Sequence, residues 1–164
     1  MKNKGVTLIE LIVVISIIGI LAVALGFSYV GWQGRYKVEK ETKDLYADLM
    51  TARSLAMTRN RYYFVDFPTP TTYRIIEDVN DSSASDAGDT VLPTYPRTVE
   101  YAVTWTGGTI EFDKRGIIQP SATPLGGTIR IITSSTTDPD YDCIVISRTR
   151  IIAGKLNGAN CEEK

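Results

Sequence analysis

Apolar residues are concentrated in one uninterrupted stretch near the start of the chain. From Leu11 to Val30 there is no charged residue. About 20 helical residues at a rise of ~1.5 Å span roughly 30 Å, the thickness of the hydrocarbon core of a bilayer. A conventional secretory signal, cleaved near Ala22 and Ala24, is the alternative, but such signals have a shorter apolar stretch. The pattern therefore predicts a membrane-spanning helix.

The apolar period of a helix continues beyond this stretch, with charged residues on the opposite face. No proline occurs before Pro68, and apolar side chains recur every three or four residues, as they do on a helix that packs along one face. These positions are Val38, Leu45, Leu49, Ala52 and Ala56. We expect one helix from Val6 to about Arg59, roughly 80 Å long at ~1.5 Å per residue.

After Asn60 the apolar period changes from that of a helix to that of a strand. Stretches rich in β-branched and aromatic residues are separated by Gly and Pro turn signals. They are residues 62–66, 73–75, 98–105, 109–113, 127–133 and 142–147. An antiparallel sheet packed on the second half of the helix would bury one face of each element. The predicted fold class is therefore α+β.

Composition narrows the chemistry that is open to this domain. The net charge is −1 and His is absent, so the commonest general base and metal ligand are missing and a generally basic nucleic-acid binder is not indicated. Because no nucleophile is combined with a base, we predict no enzymatic activity. We also predict no cofactor and no metal site. Cys143 and Cys161 lie near the C-terminus. They form a disulfide if the chain is exported, and otherwise two buried thiols.

Glu10 stands directly in front of the uncharged stretch. A carboxylate this close to lipid costs several kcal/mol unless it is paired. Cleavage after Gly5 would free the α-amino group of Val6. The same amine on a neighbouring subunit, shifted along a filament axis, could then neutralise Glu10. Because this pairing would occur only on assembly, it would also set the register between subunits.

The first eleven residues resemble a known superfamily. Residues 2–5 (KNKG) followed by 6–11 (VTLIEL) look like the class III leader of type IV pilins and pseudopilins. The resemblance implies that a prepilin peptidase cuts after Gly5 and methylates Val6, where the family usually has Phe or Met, and that Glu10 is needed for assembly. Lysines ahead of the apolar stretch keep the leader in the cytoplasm by the positive-inside rule and send the remainder outward.

Three further stretches are similar to the GspH/FimT group of minor pseudopilins and minor pilins. They are residues 48–59 (DLMTARSLAMTR), 110–116 (IEFDKRG) and 144–150 (IVISRTR). The resemblance implies a pilin-like structural subunit of a type II secretion pseudopilus or a type IV pilus. Its partners would be the prepilin peptidase, other pilins or pseudopilins, and the bacterial inner membrane, which it would cross once.

The predicted organisation follows the chain in four parts. A prepilin leader (1–5) precedes a transmembrane and filament-core helix (6–32), an amphipathic continuation of that helix (33–61) and an extracytoplasmic, periplasmic β-rich domain (62–164). The pattern leaves open which filament system the subunit serves and whether it lies at the tip or along the shaft.

A second function is implied by some FimT-like minor pilins of competence systems, in which a C-terminal Gly-Arg-x-Arg motif binds incoming DNA. Residues 147–150 (SRTR) resemble this motif, with Ser in place of Gly. Arg148 and Arg150 would project from one face of a strand or its following turn toward phosphates. Two exposed arginines without a ligand are the alternative, which the low positive charge of the chain favours.

Residues 78–89, the acidic loop, superficially follow the spacing of an EF-hand calcium loop. Ser83 stands where the tight turn needs Gly, and Asp89 stands where a bidentate Glu is usual. We therefore predict a solvated loop that holds no metal ion.

Overall fold

The computed structural model describes residues 5–105, 107–119, 127–133 and 138–164, and within 24–31 it describes the backbone but not the side chains. In these residues one helix, α1 (Leu8–Arg59), precedes ten short strands in two antiparallel sheets. The strands are β1 (Tyr63–Thr69), β2 (Thr72–Glu77), β3 (Thr90–Val91), β4 (Arg97–Thr98), β5 (Val103–Thr104), β6 (Ile110–Phe112), β7 (Gly127–Ile131), β8 (Cys143–Ile146), β9 (Ile151–Asn157) and β10 (Asn160–Glu163). The α+β class is confirmed.

The helix runs for 52 residues and is capped at both ends. The Thr7 hydroxyl accepts a hydrogen bond from the Glu10 backbone N–H at 3.3 Å, which satisfies a free donor of the first turn. At the other end Asn60 adopts the left-handed conformation (φ 53°, ψ 44°), and its N–H donates to the Ala56 carbonyl. The long helix predicted up to about Arg59 is confirmed, and its first helical residue is Leu8.

The first sheet has the strand order β3-β2-β1-β6, and β4 also pairs with β2. Its centre is the hairpin of β1 and β2, in which Val65 lies opposite Ile75 and Phe64 lies opposite Ile76. Because successive strand residues point to opposite faces, Val65 and Ile75 share one face, and both belong to the core cluster that includes the buried residues of α1. This hairpin therefore supplies one wall of the core.

The second sheet has the order β10-β9-β8-β7-β5. Isoleucines of its three middle strands join the same core: Ile129 on β7, Ile144 and Ile146 on β8, and Ile151 on β9. The helix contacts strands of both sheets, namely β1, β6, β8 and β9. The prediction of a single sheet was wrong, because α1 is covered by two.

The predicted strand over residues 98–105 was also wrong. The chain there changes sheets, since β4 pairs with β2 in the first sheet and β5 pairs with β7 in the second. At this crossing, the N–H groups of Val99 and of Val103, the first residue of β5, donate to the carbonyls of Thr71 and Pro70 in the β1–β2 turn, at 2.9 and 2.6 Å. These bonds replace a continuous ladder and carry the chain across.

The predicted packing face of α1 is confirmed at every position. All five residues have exposed fractions of 0% or 1%, and they are Val38, Leu45, Leu49, Ala52 and Ala56. Helix positions three or four apart lie on one face. The second half of α1 is therefore the central element of the domain.

Candidate assembly site

The predicted cleavage point lies in exposed backbone just ahead of the helix. Gly5 and Val6 are both exposed and precede Leu8, where α1 begins. Among the described residues, no heavy atom outside the adjoining residues lies within 4 Å of the position that a β-carbon on Gly5 would take. Residues 1–4, the rest of the predicted leader, lie outside the described residues.

The first turns of α1 expose apolar side chains on every side. The large apolar residues between 8 and 23 have exposed fractions from 46% to 77%. A soluble monomer rarely leaves so much contiguous apolar surface in water, so this surface calls for lipid or protein around it. Counting described residues only, no helix is both long and apolar enough to cross a membrane. For the end of the uncharged stretch 11–30, the structure describes the backbone but not the side chains.

Glu10 is exposed in the first turn of α1, with its backbone N–H bonded to Thr7. In the described part of the chain, no Lys or Arg forms a salt bridge with its carboxylate. A negative charge near a helix N-terminus is favoured by the helix dipole. That interaction does not remove the cost of placing the carboxylate in lipid.

Among the α1 side chains that the structure describes, those before Gly34 are exposed, and Arg35 bonds to Asp140 of the sheet domain. The Arg35 guanidinium donates to Glu39 at 3.0 Å and also to Asp140. The Asp140 backbone N–H donates to the Glu39 carboxylate at 2.9 Å, and Lys164 pairs with Asp140. The hydrogen bonds from Lys164 and Arg35 lower the pKa of Asp140. We name Arg35, Glu39, Asp140 and Lys164 the helix clasp.

A second set of polar contacts lies beside the clasp. The Glu41 carboxylate accepts the backbone N–H groups of Glu100 and Tyr101 at 2.6 and 3.2 Å. Lys37 pairs with the Glu100 side chain at 2.8 Å, and this hydrogen bond raises the pKa of Lys37. Sequence reasoning missed both sets, because Arg35 and Asp140 are 105 residues apart in the chain and Lys37 and Glu100 are 63 residues apart, beyond the reach of any local period.

Arg148 and Arg150 lie in the turn that joins β8 to β9, and both are exposed. The turn is closed by Ser147, whose N–H and hydroxyl each donate to the Arg150 carbonyl at 2.9 Å. The Ile118 N–H donates to the Arg148 carbonyl at 2.9 Å. Arg150 pairs with Glu163 at 3.0 Å, where both side chains are more than half exposed. The turn thus presents two guanidinium groups, one of which already has a carboxylate beside it.

Two family models match the chain. The one described as type II transport protein GspH matches residues 41–150, more than half of the 164 residues. The chain belongs to the GspH family. The model of the prokaryotic N-terminal methylation motif matches residues 1–26. No curated protein and no solved structure gives a significant match.

Membership in the GspH family confirms the resemblance on which the sequence interpretation relied. The protein is a pilin-like minor pseudopilin or pilin of the type II secretion or type IV pilus kind, and GspH-like pseudopilins are structural components. The methylation motif covers Gly5, Val6 and Glu10. Their individual roles remain predictions.

The predicted disulfide is present in this GspH-family protein. It joins Cys143 on β8 to Cys161 on β10, with Cα atoms 6.0 Å apart. Between these strands lies β9, in which Gly154 is opposite Cys143. A β-carbon at position 154 would collide with the Glu162 carbonyl and lie 3.1 Å from the Cys161 sulfur. The bridge therefore depends on a residue without a side chain at this crossing.

The acidic loop satisfies its carboxylates largely within itself. Asp78 is buried, and its two oxygens accept the backbone N–H groups of Ser82 and Ser83 at 3.1 and 2.8 Å. The amide of Asn80 donates to Asp86 at 3.0 Å, and this bond lowers the pKa of Asp86. Such side-chain bonds to nearby backbone are typical of Asx turns. Across the described residues, no three acidic or Cys side chains are grouped to hold a metal ion.

Proposed function

We propose that prepilin peptidase cuts this GspH-family chain after Gly5 and methylates Val6. The single-pass helix α1 then holds the subunit in the inner membrane, with the two sheets on the periplasmic side. From there the subunit assembles with other pilins or pseudopilins, through the same helix, into a type II secretion pseudopilus or a type IV pilus. The family match and the methylation motif support this proposal.

The exposed apolar surface of α1 between residues 8 and 23 is the observation that carries the proposal. At roughly 25 cal/mol per Å² of apolar area removed from water, covering a helix of this size is strongly favourable. Lipid can cover it before assembly and neighbouring helices can cover it afterwards. One surface would therefore serve both for anchoring and for polymerisation.

Glu10 would make this assembly specific. Any apolar helix can insert into a membrane, but only a neighbour with a free N-terminal amine can neutralise a carboxylate in the first turn. We infer that the amine of Val6 on the adjacent subunit is this partner. Removing one member of a buried ion pair costs about 3–5 kcal/mol, and each ~1.4 kcal/mol is a factor of ten in an equilibrium constant.

The test compares Glu10→Gln with Asp44→Asn, which removes another exposed carboxylate of α1, one that pairs with Lys40 at 3.6 Å. We expect both variants to be processed and held in membranes. Relative to wild type, the share of Glu10→Gln subunits in purified filaments should fall by at least about tenfold, while Asp44→Asn assembles normally. Equal incorporation of the two variants would contradict the role given to Glu10.

DNA binding through Arg148 and Arg150 is the second candidate function, and the exposed turn between β8 and β9 favours it. Gel shifts with the detergent-solubilised full chain would test it. Arg148→Ala combined with Arg150→Ala should abolish binding, whereas Lys40→Ala, on an exposed part of α1, should not. The candidate fails if wild type does not bind DNA or if the double variant binds equally well.

A further inference from the structure

Two large aromatic side chains are exposed on α1 just past the uncharged stretch. Trp32 is 62% exposed and Tyr36 is 57% exposed. Their rings stack, with centroids 5.9 Å apart and planes inclined by 20°. Stacking covers part of each ring but leaves more than half of each residue on the surface. We name Trp32 and Tyr36 the aromatic pair.

The aromatic pair lies on the side of α1 away from the sheets. At ~100° per residue, Trp32 and Tyr36 are about 120° and 160° around the helix from Val38, which is fully buried in the core. One turn further along the same side is Lys40, whose side chain is 62% exposed. A Trp and a Tyr followed by a Lys is an arrangement typical of the boundary between lipid and water.

The helix clasp begins at the same level as the aromatic pair. Arg35 lies between the two aromatic residues in sequence and binds the carboxylates of Glu39 and Asp140. Sinking Trp32 deeper into lipid would draw these charges into hydrocarbon, which is costly. Raising it would expose the apolar side chains that precede it to water. Both displacements are opposed, so one depth is favoured.

The separation between Glu10 and Trp32 fits the thickness of a membrane. Their 22-residue separation in sequence corresponds to ~33 Å along a helix, compared with ~30 Å for a hydrocarbon core. With Trp32 at one boundary, Glu10 therefore lies near the other. Trp and Tyr are enriched at such boundaries because each has an apolar ring and a polar tip.

We propose that the aromatic pair binds the lipid headgroup layer on the periplasmic side of the membrane and sets the depth of the unassembled subunit. The inference rests on the proposed function, since it needs α1 to be inserted in a bilayer. It assigns the aromatic pair to lipid rather than to a neighbouring subunit, because Trp32 closely follows the uncharged stretch in sequence and Arg35, between the two aromatic residues, binds Asp140 of the domain.

Depth-dependent fluorescence quenching in vesicles tests this inference on the full chain. The vesicles contain phosphatidylethanolamine and phosphatidylglycerol, brominated either near the headgroup end or near the methyl end of the acyl chain. Trp105→Phe leaves Trp32 as the only indole of the chain. A matched chain combines Trp105→Phe with Trp32→Phe and Ile18→Trp, which moves the indole 14 residues earlier, ~21 Å along the helix.

We expect the headgroup-end bromines to quench Trp32 about twofold more strongly than the methyl-end bromines, as for an interfacial indole. The order should reverse for the indole at position 18. Trp32→Ala with Tyr36→Ala should weaken the depth preference at position 18, because the helix can then slide. Met57→Ala, an exposed position far along α1, should leave that preference unchanged.

Quenching at position 18 and quenching of Trp32 together distinguish an error in the role of the aromatic pair from an error in the proposed function. If neither lipid quenches the indole at position 18, α1 is not inserted, and both proposals fall. If the indole at position 18 is quenched from the methyl end, the helix is inserted. If Trp32 is then unquenched, or is also quenched mainly from the methyl end, the aromatic pair does not bind the headgroup layer. An unchanged depth preference of the indole at position 18 in the double Ala variant would also show that the aromatic pair does not set the depth of the subunit.

Discussion

The disulfide between Cys143 and Cys161 should stabilise the domain chiefly by restricting the unfolded chain. The bridge connects residues 18 apart and ties β10 to β8. Because β10 forms a ladder with β9 alone among the described strands, it has little other support in the sheet. We therefore predict that breaking the bridge frees the C-terminal hairpin first and lowers the stability of the whole domain.

The size of the effect follows from the length of the closed loop. For an 18-residue separation, the chain-entropy relation gives about 3 kcal/mol. In a domain of this size, ~1 kcal/mol shifts the melting temperature by several degrees, so the expected loss is about 10 °C. Breaking the bridge should also break the contact of Lys164 with Asp140, since Lys164 follows β10 directly.

Thermal unfolding of the full chain in detergent micelles, followed by near-UV circular dichroism, measures this loss. Wild type is compared with and without reductant, alongside Cys161→Ser, which leaves the buried Cys143 in place. Reductant should lower the wild-type midpoint to that of Cys161→Ser and should not affect the variant. Coincident midpoints for oxidised and reduced wild type would show that the disulfide does not stabilise the domain.

Two further predictions concern the core and pH. Leu49→Ala, at a fully buried position of α1, should lower the free energy of unfolding in denaturant by about 2–5 kcal/mol. Met50→Ala, at a position that is 37% exposed, should lower it by less than about 1 kcal/mol. Equal losses would contradict the packing described. Burial alone would raise the pKa of Asp113, but hydrogen bonds from the Ile117 and Arg115 N–H groups outweigh it and hold the pKa below 3.8. Asp113 therefore stabilises the fold above pH 3.8 and loses this effect as pH falls through its lowered pKa. The free energy of unfolding of Asp113→Asn should consequently depend less on pH in that range than that of wild type. Identical pH profiles of the two proteins would contradict this prediction.

The helix could be predicted almost completely from the sequence, because its signals are local. The buried positions from Val38 to Ala56 follow the 3.6-residue period, and Asn60 ends the helix in a conformation that Asn tolerates. The start differs by two residues from the prediction. Thr7 caps the helix from outside, and Val6, ahead of the cap, is not helical.

The last two strands were not predicted, for reasons visible in their composition. β9 has Gly154 at its centre, and β10 consists of the polar and charged run from Asn160 to Glu163, apart from Cys161. Neither alternates in the way that a half-buried strand does. β10 is instead held by pairing with β9 and by the disulfide. The division into two sheets was missed for a related reason, since it depends on backbone bonds around residues 99–103.

The candidate site, like the fold, could be predicted only where its signals are local in the sequence. Gly5, Val6 and Glu10 stood out in the sequence because they form a short linear motif next to an apolar stretch. The helix clasp did not, because Arg35 and Asp140 are 105 residues apart, and only the folded domain brings them together.

The mass of the N-terminal peptide from the membrane-bound protein shows where the chain is cut and whether its new N-terminus is methylated. We predict that the mature chain begins at Val6 and carries a methyl group on its α-amine. We also expect that Gly5→Leu, which places a bulky side chain at the open position before the cut, accumulates uncleaved in the membrane and is absent from filaments. A wild-type membrane form that retains residues 1–5 intact would contradict both the cleavage and the assembly proposed for this subunit.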